Sequence, residues 1–199
     1  MKNITPNNYF TSLAGEAMRR FFQQKKCVTR IIDFTHKKVF DAQTYTALTF
    51  LNKQENEAIT FDRIKDDCTP QKFLSTVNGS LNYLKDLDVK KWRLLKADEQ
   101  KNIKTIFGNL INPISKVENI DVVQKIFNSI VMHYYISKTS VSIEGGYPCY
   151  QKNFIEKFTV PEFCENEIET LRSLNCQQQI DNFLIKKYHL NLSAPNLAE

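Results

Sequence analysis

One short stretch carries residue types suited to phosphate and base contact. His36, Lys37, Lys38, Val39, Phe40, Asp41, Ala42 and Gln43 separate two apolar runs. Two adjacent lysines can hold phosphate oxygens, and an exposed phenyl ring beside them offers a stacking face to a base. A second group with the same chemistry, Lys138, Tyr147, Tyr150 and Lys152, surrounds Gly145-Gly146. Basic residues interleaved with aromatics could line a nucleic-acid groove. Both groups also admit a plain packing role. Phe40 can fold back onto Ile32 and Leu48, Lys37 and Lys38 can be a solvated pair, and the tyrosines can seal the C-terminal helices. Other chemistry is disfavoured. Cys149 has no His nearby to activate a thiol, and five cysteines without a C-x-x-C pair, beside three scattered histidines, argue against zinc and a disulfide framework. No metal-ligating residues are assigned. Glu165, Glu167 and Glu169 open a helix, where negative charge favours the dipole without any catalytic role.

The elements that must position these residues follow from periodicity. Val28, Ile31, Ile32 and Phe34 form a β-branched, apolar run, and Thr44–Leu51 is a second, rich in Thr, Tyr and Phe. With only a short loop between them, they are expected to be neighbouring antiparallel strands. Before them, Leu13, Ala17, Phe21 and Ala14, Met18, Phe22 recur at helical spacing. That predicts a helix over Ser12–Gln24, covering one sheet face through Leu13, Ala17 and Phe21, with Arg19, Arg20 and Lys25 toward water. Glu55–Thr69 reads as a loop or a short strand around Ile59–Phe61. A helix or broken helix is predicted from Pro70 through Leu81, Leu84 and Leu87, interrupted at Asn78-Gly79. Trp92, Leu94 and Leu95 form an apolar knot. A helix starts at Asp98 and is stopped by Pro113, and another runs from Asp121 to Tyr134. Gly145-Gly146 and Pro148 mark a turn, Glu165–Leu174 and Gln177–Tyr188 are two further helices, and the last residues form a tail.

The first of these stretches resembles a known family. Ile31-Ile32-Asp33-Phe34, Val39-Phe40-Asp41-Ala42 and Thr44-Tyr45-Thr46 look like the late catalytic motifs of site-specific adenine-N6 DNA methyltransferases, of the branch fused to type II restriction endonucleases. Ile4, Thr5, Pro6, Asn7 and Phe10 are similar to the pattern that follows an earlier sheet strand in that family. Met132–Phe158 resembles the end of its target-recognition region, with a helix, a Gly-Gly-Tyr turn and a closing Lys-x-x-Ile-Glu-Lys run. Trp92 extends the likeness weakly. The resemblance implies a Rossmann-like methyltransferase sheet, DNA as partner, S-adenosylmethionine as cofactor of the complete enzyme, and Phe40 as the aromatic that packs against a flipped adenine. It implies DNA-binding roles for Lys37, Lys38, Lys138, Tyr147, Tyr150 and Lys152.

The sequence also departs from the family. Its five glycines include no G-x-G for a cofactor turn, and it has no Pro-Pro pair to hold a target amine. Val122 runs directly into the late helix, where the family has a long recognition body. The resemblance therefore implies a truncated, internally shortened relative with no catalytic and no cofactor-binding residues of its own, inactive alone.

Composition sets the outer bounds. The 199 residues, 42% hydrophobic with 14 Phe, suffice for one domain or one and a half. A net charge of +5 is compatible with a polyanion. Five cysteines without a disulfide framework fit a reducing cytoplasm, no apolar run has membrane-span length, and no signal pattern opens the chain. The expected fold is an α/β fragment followed by an α-rich region: the last strands of the methyltransferase sheet over 1–54, a helical linker over 55–120, a remnant of the target-recognition domain over 121–192, and a tail over 193–199. Two alternatives stay open. One is a non-catalytic DNA-binding specificity module that complements a separate chain carrying the catalytic half. The other is an unrelated helical interaction protein.

Overall fold

The computed structural model describes residues 1–35, 45–64, 78–108, 112–113, 119–141 and 147–192. The chain divides into two compact units, Met1–Ala97 and Asp98–Glu199. The architecture is α/β. In the first unit β1 (Lys2–Pro6), β2 (Val28–Asp33), β3 (Thr46–Leu51), β4 (Ala58–Arg63) and β5 (Ser80–Tyr83) form one mixed sheet, in the order β1-β3-β2-β4-β5. β3 runs antiparallel to both β1 and β2, with Ile32 opposite Leu48. β2 and β4 are parallel, and β5 returns antiparallel to β4.

Strand alternation sorts the apolar side chains onto both faces. Val28, Ile31, Ala47, Ile59 and Phe61 are buried on one face against Tyr9, Phe10, Phe22 and Trp92. Ile32 faces the other way, with Phe34, Leu48, Phe50 and Ile64. Each fully buried side chain of this size stabilises by about 1.5–3 kcal/mol.

The helix against the first face differs from expectation. α1 spans Glu16–Lys25, and Leu13, Ala17 and Phe21 are exposed, Leu13 at 88%. The buried side chains are Phe22 and Arg19, with Met18 packed beside them. Arg19, expected in water, is fully buried. Its guanidinium donates to the carbonyls of Tyr9, Ser12, Val89 and Lys90, the last two at 2.7 Å. The two apolar stripes of α1 have the same spacing and differ only by one residue, about 100° of rotation. The four carbonyls around one guanidinium select the Met18–Phe22 stripe.

The span 55–120, expected as a helical linker, contributes β4 and β5 to the sheet. Leu84–Asp86 is a single 3-10 turn. The spacing of Leu81, Leu84 and Leu87 suits a helix, but Leu81 is 52% exposed while Asn82 is buried. The Asn82 amide donates to Leu95 O and accepts from Leu95 N, both at 3.0 Å, which mimics a strand pairing and fixes β5 as extended. The Pro70–Val77 part of the expected helix lies outside the described residues. Trp92 and Leu94 are buried as the knot requires.

In the second unit α2 (Ala97–Gly108), α3 (Ile120–Phe127), α4 (Ile130–Thr139), α5 (Lys152–Ile155), α6 (Glu165–Ser173) and α7 (Gln177–Lys187) accompany a two-residue ribbon of β6 (Asn112–Pro113) and β7 (Thr159–Val160). The helix expected from Asp121 to Tyr134 is broken in two. The Ser129 hydroxyl caps α4, accepting from Met132 N and donating to Ile126 O at 2.7 Å. Asp181 of α7 accepts from Ile130 N at 2.9 Å. Lys125 of α3 donates to the carbonyls of Leu171, Arg172 and Leu174 and so closes the C-terminal end of α6. Among the described residues, no helix is long and apolar enough to cross a membrane.

Candidate nucleic-acid interface

Lys37, Lys38 and Phe40 lie outside the described residues, but both stems of their loop are fixed. Phe34 N donates to Thr46 O at 3.0 Å, and Asn7 N donates to Tyr45 O at 2.9 Å. Asp33, 8% exposed at the end of β2, gathers three partners. It accepts from Asn7 Nδ2 at 2.9 Å and from Thr35 N at 3.0 Å, and Arg63 Nε lies 3.9 Å from its second oxygen. Asn7 follows β1, Asp33 ends β2 and Arg63 ends β4, so three strands meet on one carboxylate at the loop entrance. Thr35 sits there at φ 50°. A β-branched residue in the left-handed region costs about 1–3 kcal/mol and persists only where surrounding contacts hold it. The Asp33 turn supplies that hold. The arrangement ties the ends of β1, β2 and β4 to one another.

The second group is only partly assembled for ionic contact. Tyr147 is 70% exposed and Tyr150 46%. Tyr150 Oη lies 2.8 Å from His133 Nδ1, and the two rings stack at 28° with centroids 6.2 Å apart. Partial burial pushes the Tyr150 phenol above its usual value. Lys152 is exposed at the first residue of α5. Lys138 is committed elsewhere. Its Nζ donates to the buried Glu99 carboxylate at 2.7 Å and lies 5.6 Å from the Tyr134 ring centroid. Gly145-Gly146 lies outside the described residues. Cys149 is buried. Among the described residues, no three His, Cys, Asp or Glu side chains gather where a metal ion could sit.

Sequence reasoning missed Asn7–Asp33–Arg63 as a clamp and His133 as the partner of Tyr150. The partners are separated by 26 residues for Asn7–Asp33 and 17 for His133–Tyr150, and no local pattern encodes either pairing.

No family model matches the chain. Its sequence is weakly homologous to the type II restriction enzyme and methyltransferase RM.Eco57I of Escherichia coli, at 28% identity over 178 residues. The match covers 85% of this chain and 17% of that protein, so the chain spans about a sixth of the relative's length. Among solved structures, the type IIG restriction endonuclease BpuSI aligns over 94% of this chain and 27% of its own, at 13% identity and a TM-score of 0.35, too low to imply a shared fold.

Proposed function

We propose that this chain is the DNA-contacting part of a restriction–modification methyltransferase of the adenine-N6, S-adenosylmethionine-dependent kind. In this reading the sheet of the first unit is the late portion of a Rossmann-like catalytic sheet, and the second unit is a shortened target-recognition region. The observation that carries it is the extent of the sequence match. A match over 85% of the chain takes in both the Lys37–Phe40 loop and the Met132–Phe158 stretch.

The division of labour follows from the chemistry. Methyl transfer to a base amine requires the base to leave the helical stack, and stacking on an aromatic offsets part of that cost. Phe40 supplies one such wall, and Lys37 and Lys38 hold the adjacent phosphates. Tyr147, Tyr150 and Lys152 add stacking faces and one cation from the second unit. S-adenosylmethionine supplies the methyl group. The residues that bind it and orient the amine belong to the partner half, since this sequence has neither a G-x-G turn nor a Pro-Pro pair.

Fluorescence anisotropy with labelled duplexes tests the reading. Binding should be weak, salt-sensitive and nearly indifferent to sequence, because lysines and tyrosines contact phosphate and stack without reading base edges. Methylation should appear only when a second chain bearing the glycine turn and the Pro-Pro motif is added. Tight binding to one duplex that survives high salt would instead mark a self-sufficient specificity module. No binding to any duplex would favour a helical interaction protein.

A further inference from the structure

The sheet of the first unit has two outer strands, β1 and β5. β5 makes contacts beyond its pairing with β4. Its Asn82 amide holds Leu95, its Ser80 hydroxyl accepts from Ala97 N at 3.0 Å, and Leu81 is engaged as well. β1 is different. Met1 and Leu51 exchange two bonds, each of 2.8 Å, and Asn7 N donates to Tyr45 O. Bonded pairs alternate along an antiparallel ladder. Asn3 and Thr5 therefore face β3, and the backbone groups of Lys2, Ile4 and Pro6 point away from it. All three residues are exposed, Ile4 at 41%. Among the described residues, none pairs with that side of β1.

A free edge is a template for strand addition, since each outward N–H and C=O can continue the ladder. The direction of an added strand follows from what it must bring. β1 and β2 are both antiparallel to β3, and β4 is parallel to β2, so β1, β2 and β4 run one way. Phe40 follows the carboxyl end of β2 in sequence. In open α/β sheets, ligands also bind beyond the carboxyl ends of the strands. A cofactor and Phe40 can meet at one base only if the strand leading into the cofactor turn shares the direction of β2, and hence of β1. A second copy of this chain fits the edge less well. Antiparallel self-pairing about Ile4 would set Lys2 of each chain against Pro6 of the other, and Pro6 has no N–H to return.

We infer that the outer edge of β1 receives a strand of the half that carries the cofactor turn, added parallel to β1 and hydrogen-bonded to Lys2, Ile4 and Pro6. Lys2 and Ile4 each donate an N–H and accept at their carbonyl, and Pro6 accepts only. The bonds are made by main chain, so they fix the register of the two halves while the side chains of Lys2 and Ile4 stay on the sheet face. The inference rests on the reading of function above.

Hydrogen exchange at single amides of the full chain tests it, first alone and then with a complement. The complement is RM.Eco57I with the segment that matches this chain deleted, purified as a folded protein. Alone, the Ile4 N–H should exchange freely while Asn3 and Thr5 are protected. With the complement, Ile4 should become protected at least about tenfold. Ile4→Pro deletes one outward donor and leaves the β3 ladder intact, since proline is tolerated where the N–H of an edge strand faces outward. It should weaken capture by the complement about tenfold, whereas Ile4→Ala, which keeps the N–H, should cost less than about threefold. Protection of Ile4 in the chain alone, or free exchange there in a complex that methylates DNA, overturns this inference and leaves the reading of function standing. Equal losses for the two variants, or a complement that does not capture the wild-type chain, overturn it too. The reading of function fails separately, if the chain binds no duplex at low salt, and takes this inference with it.

Discussion

Arg19 shows what one polar side chain can decide. Its guanidinium ties residues 9 and 12 to residues 89 and 90, and burial lowers its pKa from the usual arginine value. Gly15 belongs to the same knot, since a Cβ there would lie 2.5 Å from Tyr9 O and 2.7 Å from Arg19 Nη1. Arg19→Met should remove about 3 kcal/mol or more, because buried carbonyls left without donors cost roughly 1–3 kcal/mol each. Urea unfolding followed by the fluorescence of Trp92, the single tryptophan, reads that loss directly. Glu167 makes a pH prediction. The Lys187 ammonium at 2.7 Å, followed by the Cys164 backbone N–H, holds its carboxyl below the usual 4.5. A depressed folded-state pKa stabilises above the unfolded value, and that contribution is lost as pH falls from about 4.5 through the folded value. Glu167→Gln should therefore flatten the acid limb of the stability profile. Because the pair is partly exposed, the neutral-pH cost should be at most about 1 kcal/mol. An unchanged acid limb would mean that the ion pair contributes nothing.

Among the elements, those set by composition were legible and those set by a distant partner were not. β2 and β3 follow from their β-branched and aromatic runs, and α6 and α7 fall close to their sequence-based limits, Glu165–Leu174 and Gln177–Tyr188. The three-residue repeat of Leu81, Leu84 and Leu87 favours a helix over β5, whereas Asn82 answers to Leu95, thirteen residues on. An uninterrupted apolar ladder hides the break at Ser129, which depends on Asp181, fifty-one residues from the Ile130 N–H that it accepts. The candidate site divides the same way. The proposed phosphate and stacking residues rest on residue type alone, while the Asn7–Asp33–Arg63 clamp needs three strands in register. Ser129→Ala should cost about 1 kcal/mol, the usual value of a lost N-cap. It should also raise hydrogen exchange at the first turn of α4. If exchange there does not change, Asp181 alone is capping that helix.

At the scale of the whole molecule, the sequence match reaches nearly the full chain while the chain reaches only 17% of its relative. A methyl transfer needs a cofactor turn, a holder for the target amine, a wall for the flipped base and a surface for the phosphates. In the proposed reading this chain supplies the last two. Calorimetry should then detect no saturable S-adenosylmethionine binding even at about millimolar ligand, a concentration that would reveal affinities near −4 kcal/mol. Binding at micromolar ligand would mean that other residues replace the glycine turn. Phe40→Ala supplies the sharper test because its effect depends on what else is present. A single wall cannot retain an extruded base, so Phe40→Ala should leave the affinity of the isolated chain for duplex DNA within about twofold, since backbone contact is chiefly ionic. Once the complementary half is added, the same substitution should lower methylation by about tenfold or more, the equivalent of losing roughly 1–3 kcal/mol of base stacking. A mismatched target adenine, which is cheaper to extrude, should recover part of that loss. If Phe40→Ala weakens the isolated chain as much as the complemented one, the ring is packing the fold rather than facing a base.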